Sequence, residues 1–229
     1  MKNPNDANSQ ILTEILWDDP AVRTEFIKHF RSQANVFAQH MSVATAAWRT
    51  LDTGIGGSQK LAFVSALVYT AITLHVRSMK LFLAGELEAA GNLFRQVVEC
   101  MALALLCSNQ DLLILSLFMK GKYSTHKAVK DLRAHAEEVG APERAIKDLE
   151  KGRRFYHQYS HPTAITIANL ISYQERGASL YVGASFDHGK LELYRKEANA
   201  RANLAQTFVS FIELVKTNVA KWRIDVQPN

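Results

Sequence analysis

The chain has 229 residues, 48% hydrophobic and 21% charged, enough to bury a core without help from disulfides or a structural metal. This composition excludes a disordered, collagen-like or disulfide-stapled chain. The formal net charge of +5 points to anionic partners, and residues 120–154 carry ten Lys or Arg against six Asp or Glu, although most such charges read as solvated helix faces.

The opening MKNPNDANSQ is polar and lacks the basic-then-apolar order of a secretory signal. Residues 11–17 form a short amphipathic piece. Apolar residues then recur as Val22, Phe26, Ile27, Phe30, Val36, Phe37, Met41, Val43 and Trp48 with no internal Gly or Pro, which predicts one long helix over 20–51, with room for a kink. Asp19 suits its N-cap and Pro20 its first turn. Gly54-Ile55-Gly56-Gly57-Ser58 reads as a linker. No strand precedes it and no Gly-Lys-Ser/Thr follows, so it is not a phosphate loop.

Ser58 can cap a helix to about Leu83. Its residues 61–76 lack Asp, Glu, Lys and Arg but hold Ser65, Tyr69, Thr70, Thr73 and His75, too short and too polar for a span and better read as a core helix. Gly85 marks a turn into a helix over 86–107. Cys100 and Cys107 lie on it about 10 Å apart, beyond disulfide reach, as reduced core residues. An apolar stretch over 111–119 ends at Gly121, a basic helix over 123–139 stops at Gly140, and Pro142 opens a helix extending to His161, where Pro162 ends it. Residues 164–173 can form another short helix. Ser179 to Phe186 is rich in strand formers, Asp187-His188-Gly189 is turn chemistry, and 190–194 can return as a second strand. A last helix covers about 194–222.

The expected fold is therefore all-α, a multi-helix up-and-down bundle with a small β-hairpin or irregular arm near residues 179–194. It forms one domain over 1–229: N-terminal helices over 9–51, a bundle over about 58–173, and the arm with the C-terminal helix over 177–222. A cytoplasmic protein with no membrane partner is expected.

Chemistry concentrates in Glu150-Lys-Gly-Arg-Arg-Phe-Tyr-His-Gln-Tyr-Ser-His161. On a helix Glu150, Arg154, His157 and His161 are spaced four, three and four apart and form one stripe. It joins a carboxylate, a fixed cation and two imidazoles, flanked by Phe155, Tyr156 and Tyr159. Tyr156, Tyr159 and Tyr173 are candidates for stacking on RNA bases, or for the core. Arg95 and Glu99 are four apart in the otherwise uncharged stretch from Leu93 to Leu106. They should pair with each other or across the bundle, either to fix packing or to support the stripe. His157 and His161 have the spacing of a two-histidine metal site, but further ligands are missing from the pattern, so anion binding ranks above it and no metal or other cofactor is expected.

The helix from Gly85 to Glu99, followed by Arg154 and, after six intervening residues, His161, resembles the HEPN superfamily of helical bundles, over roughly residues 61–173. The resemblance implies a homodimer and, in many members, a metal-independent endoribonuclease of toxin, defence or stress systems, with a cognate antitoxin or other protein partner. On it, Arg154 would hold the scissile phosphate of RNA and His161 would act as general base or acid, with His157, Glu150, Arg95, Glu99 and Tyr156 as binding or supporting residues. The alternative is a non-catalytic interaction or regulatory bundle in which the stripe seals a helix interface.

Overall fold

Local start and stop signals set the long helices. The structure, a computed structural model, describes residues 4–16, 19–174, 177–180 and 184–222. After α1 (Pro4–Leu16), Asp19 Oδ1 accepts from the amides of Ala21 and Val22 to open α2 (Pro20–Thr53), with Pro20 in its first turn. This is the long helix the periodicity predicts, bent at Phe30, where φ is −124° and ψ 16°. Trp17 lies outside the described residues. Ser58 Oγ accepts from the Leu61 amide to open α3 (Gln59–Leu83). Gly85, at φ +84°, turns the chain into α4 (Leu87–Ser108). A β-carbon there would lie 2.8 Å from Val22 Cγ1 of α2, so glycine serves both the turn and the close approach.

The protein is all-α, a multi-helix bundle, and α4 is its central helix. Its stretch from Met101 to Cys107 is buried on every side, as a helix apolar all round must be. Cys107 is buried and Cys100 half-buried; both are free, and loss of hydration pushes their thiols up to about 12 and about 11. By length and composition both α3 and α4 are long and apolar enough to cross a membrane, with mean hydropathy 1.4 and 1.3; the apolar window of α4 is 72% buried and that of α3 44%.

After α5 (Ile114–Met119), residues 123–139 are not one helix. A 3-10 turn (Thr125–Lys127) leads into α6 (Ala128–Ala134), and α7 (Ala136–Val139) follows a break at His135. In the separate last turn, the carbonyls of Glu138 and Val139 accept from Asn109 Nδ2 (2.8 Å) and Asn218 Nδ2 (3.0 Å), side chains from two other parts of the bundle. Next come α8 (Glu143–Tyr156), a 3-10 turn (His157–Ser160) and α9 (Ala164–Leu170).

The short helix expected to Tyr173 ends at Leu170, and β1 (Ile171–Gln174) pairs antiparallel with β2 (Gly177–Leu180), Ile171 opposite Leu180. Strand pairing thus falls earlier than the pattern indicated. Tyr181 lies outside the described residues. Residues 184–187 are irregular, and Asp187 Oδ1 accepts from the Gly189 amide in a 3-10 turn (His188–Lys190), the turn chemistry expected there. Residues 190–194 do not return as a strand, because α10 (Leu191–Val219) begins within them. Tyr194 is its first core residue: Tyr194, Ala198, Arg201, Ala205, Phe208, Ile212 and Val215 are all buried, with alternating spacings of four and three. An aromatic cluster forms beside the His188–Lys190 turn, with the ring of Phe186 5.5 Å from Tyr194 and 5.0 Å from Phe26 of α2.

Candidate functional site

The site begins with the way α8 ends. In a 3-10 turn residues three apart eclipse, which sets Tyr156 and Tyr159 in one row with their rings stacked at 5.6 Å. Both donate to one carboxylate of α10: Tyr156 Oη to Glu197 Oε2 at 2.9 Å, Tyr159 Oη to Glu197 Oε1 at 3.2 Å. Burial pushes both phenols above their ordinary range. Tyr156 is therefore a buried anchor. Tyr159 is buried as well, so of the two readings of these tyrosines, base stacking or core, the core holds for both; the side chain of Tyr173 lies outside the described residues.

Glu197 in turn accepts from Arg201 Nη1 at 2.7 Å, and Arg201 Nε donates to Ser78 Oγ at 3.1 Å. Arg201 is 1% exposed and Glu197 4%, and the guanidinium lies over the rings of Phe82 and Phe94 at 4.9 and 5.5 Å. The carbonyl of Arg201 accepts from Nε2 of His75, which is fully buried among Phe37, Phe94 and Phe208. Loss of hydration pushes the His75 imidazole down to about 3, with the Arg201 charge adding to the effect and the hydrogen bond opposing it.

Gly91 of α4 provides the notch that receives Tyr159: a β-carbon there would lie 2.4 Å from Tyr159 Cγ. Gly91→Ala is expected to destabilise the protein by about 1–3 kcal/mol in urea unfolding, although alanine is the better helix former by about 1 kcal/mol, because the tied ring cannot swing away. A variant as stable as the parent would show that the notch is not needed.

Anchored from within, the outer side of the same segment carries the charges. Glu150, Arg153, Arg154 and His157, with Val129 and Lys130 of α6, line a cleft of about 260 Å³ between α6 and α8. Glu150 is held by Arg133 of α6, Nη1 to Oε2 at 3.0 Å. Glu99 of α4 pairs with Arg95 Nε at 3.0 Å, as expected, and also faces Arg153 Nε at 3.5 Å, an ion pair without hydrogen-bond geometry. No described carboxylate lies within ion-pair distance of Lys130 or Arg154, so these two exposed cations remain for an anion. Arg95 extends the polar group towards the 3-10 turn. Its Nη1 donates to Ser160 Oγ at 2.6 Å, and Ser160 Oγ donates to Asn92 Oδ1 at 3.0 Å.

The stripe of four is broken at its last member. His161 precedes Pro162, which disfavours helical backbone, and it is extended at φ −140°, ψ 156°. Glu150, Arg154 and His157 line the cleft; His161 does not, but its ring packs edge-on to that of His157 with centroids 4.8 Å apart. His157 is exposed, yet its pKa lies below the ordinary histidine value, through partial loss of hydration and then the charges of Arg95, His161 and Arg153, with Glu99 opposing. Among the described residues no group of three or more His, Cys, Asp or Glu side chains is disposed to hold a metal ion, so the histidine pair has no third ligand of that kind.

Asn92, Ser160, Lys130 and Arg153 were not singled out by sequence reasoning. Their signal was available only in part: Lys130 and Arg153 belong to the basic stretch, whereas Asn92 and Ser160 gain meaning only once α4 and the 3-10 turn meet. Fold and site together define a helical bundle with a cationic, histidine-bearing cleft on its surface. No protein-family model, no curated protein and no solved structure matches the chain.

Proposed function

We propose that this chain is a HEPN-like RNA-binding protein that takes a backbone phosphate in the α6–α8 cleft and cleaves RNA there without a metal, as a homodimer. The observation that carries the reading is the cleft itself, where the uncompensated cations Lys130 and Arg154 stand beside the imidazole of His157, itself packed on His161. A guanidinium offers forked donors to phosphate, and an imidazole can give or take a proton near neutrality. In the reaction, an imidazole of the pair takes the proton of the ribose 2′-hydroxyl as the 2′-oxygen bonds to phosphorus. The bond from phosphorus to the 5′-oxygen breaks, and that oxygen receives a proton from the other imidazole of the pair, which enters the step as an imidazolium. The products are a 2′,3′-cyclic phosphate and a 5′-hydroxyl, while Arg154 holds the charge that develops on the phosphate.

The test is incubation of total RNA in EDTA with the protein and with the Arg154→Ala/His161→Ala double variant. Cleavage is expected from the parent and is expected to fall by about 100-fold or more in the variant. Equal cleavage by both would remove these residues from the reaction. RNA bound by the parent but left intact would support the non-catalytic alternative.

A further inference from the structure

The resemblance to HEPN bundles singles out His161, but the geometry favours its neighbour. We propose that His157 is the imidazole that meets the bound phosphate in the α6–α8 cleft, and that its protonation controls how tightly the cleft holds RNA. This rests on the RNA reading above and adds to it the residue and the form of regulation.

Three observations converge on His157. It lines the cleft together with Lys130, Arg153 and Arg154, whereas His161, turned out of the helix by Pro162, packs against it from outside. Its backbone belongs to the 3-10 turn whose neighbouring residues Tyr156 and Tyr159 are tied to Glu197, so the ring is presented from an anchored base. Its charged and titratable surroundings are Arg95 and Glu99 on α4, Lys130 and Arg133 on α6, Glu150, Arg153 and Arg154 on α8, and His161 beyond the turn. Both carboxylates of this set are already engaged by arginines, Glu99 by Arg95 and Arg153, Glu150 by Arg133. The field at His157 is therefore cationic, and partial loss of hydration together with this field keeps the ring neutral to a lower pH than a free histidine. A phosphate in the cleft reverses that field. It favours the imidazolium, so by linkage acid pH favours the phosphate.

The experiment measures the affinity of the full chain for a labelled oligouridylate, whose bases take up no protons in the range used, as a function of salt at about pH 7.5 and about pH 5. In the parent, log affinity against log salt is expected to steepen by about 0.7 on acidification, the increment for one further neutralised phosphate on a single strand. His157→Gln is expected to abolish the increment and His161→Gln to retain it, with circular dichroism verifying that each variant is folded at both pH values. An increment intact in His157→Gln, or abolished in His161→Gln alone, would overturn the assignment. If Arg154→Ala weakens binding while His157→Gln keeps the increment, the RNA reading stands and only the role of His157 falls. If the parent binds no oligouridylate at either pH, both fall.

Discussion

Acidification from about pH 6.5 to about pH 3 is expected to remove about 4–5 kcal/mol of stability through His75 alone. The sign follows from which state takes the proton. The unfolded chain binds one near 6.5, while the buried ring refuses it until about 3, so stability is full above 6.5 and is lost progressively as pH falls to 3. Roughly 3 kcal/mol has gone by about pH 4, a large part of what a domain has to lose. In urea unfolding, His75→Phe is expected to flatten this dependence. It keeps a ring among Phe37, Phe94 and Phe208 at a cost of about 1 kcal/mol for the missing hydrogen bond, plus whatever strain the larger ring brings. A variant whose acid sensitivity matches the parent's would mean that other groups set the acid limit.

The second large effect is expected at the Glu197–Arg201 pair. Arg201→Met leaves Glu197 buried without its cation and is expected to cost about 3–5 kcal/mol, as is Glu197→Gln, which strands the guanidinium instead. The double substitution Glu197→Met/Arg201→Met is expected to cost clearly less than the sum of the single Met variants, since neither charge is then stranded, though Tyr156 and Tyr159 still lose their acceptor. Strict additivity would contradict a coupled pair. Because both tyrosines flank His157, Glu197→Gln is also expected to weaken RNA binding at the cleft without touching it.

The helices were legible where their signals are local. Asp19 with Pro20, Ser58, Gly85 and Gly140 each act within a turn of where they stand, and the structure uses each of them as a start or stop. The pairing of Arg95 with Glu99 was legible for the same reason. What escaped was long-range. Arg201 and His75 both occupy core positions, Arg201 between Ala198 and Ala205, His75 between Ala71 and Met79. A polar residue in the middle of an apolar stripe was the available signal, but Arg201 meets Ser78 and His75 meets the carbonyl of Arg201 only across distant parts of the sequence.

The stripe failed at His161 because two constraints compete with the helix there. Pro162 disfavours helical backbone at His161, and the tyrosines gain a common carboxylate only if the last turn tightens. The first constraint can be read from the sequence, and the second needs α10 in place. The basic helix expected over 123–139 broke for a similar reason, since the asparagines that donate to its last carbonyls come from outside it.

Whether the α6–α8 cleft holds a nucleic-acid phosphate is tested most directly by the salt dependence of single-stranded RNA affinity at neutral pH, for the parent and for Lys130→Ala/Arg154→Ala. If both cations neutralise phosphates, the slope of log affinity against log salt is expected to become shallower by about 1.4 in the double variant, about 0.7 for each cation removed. An affinity and slope unchanged by the two substitutions would contradict an RNA site in this cleft.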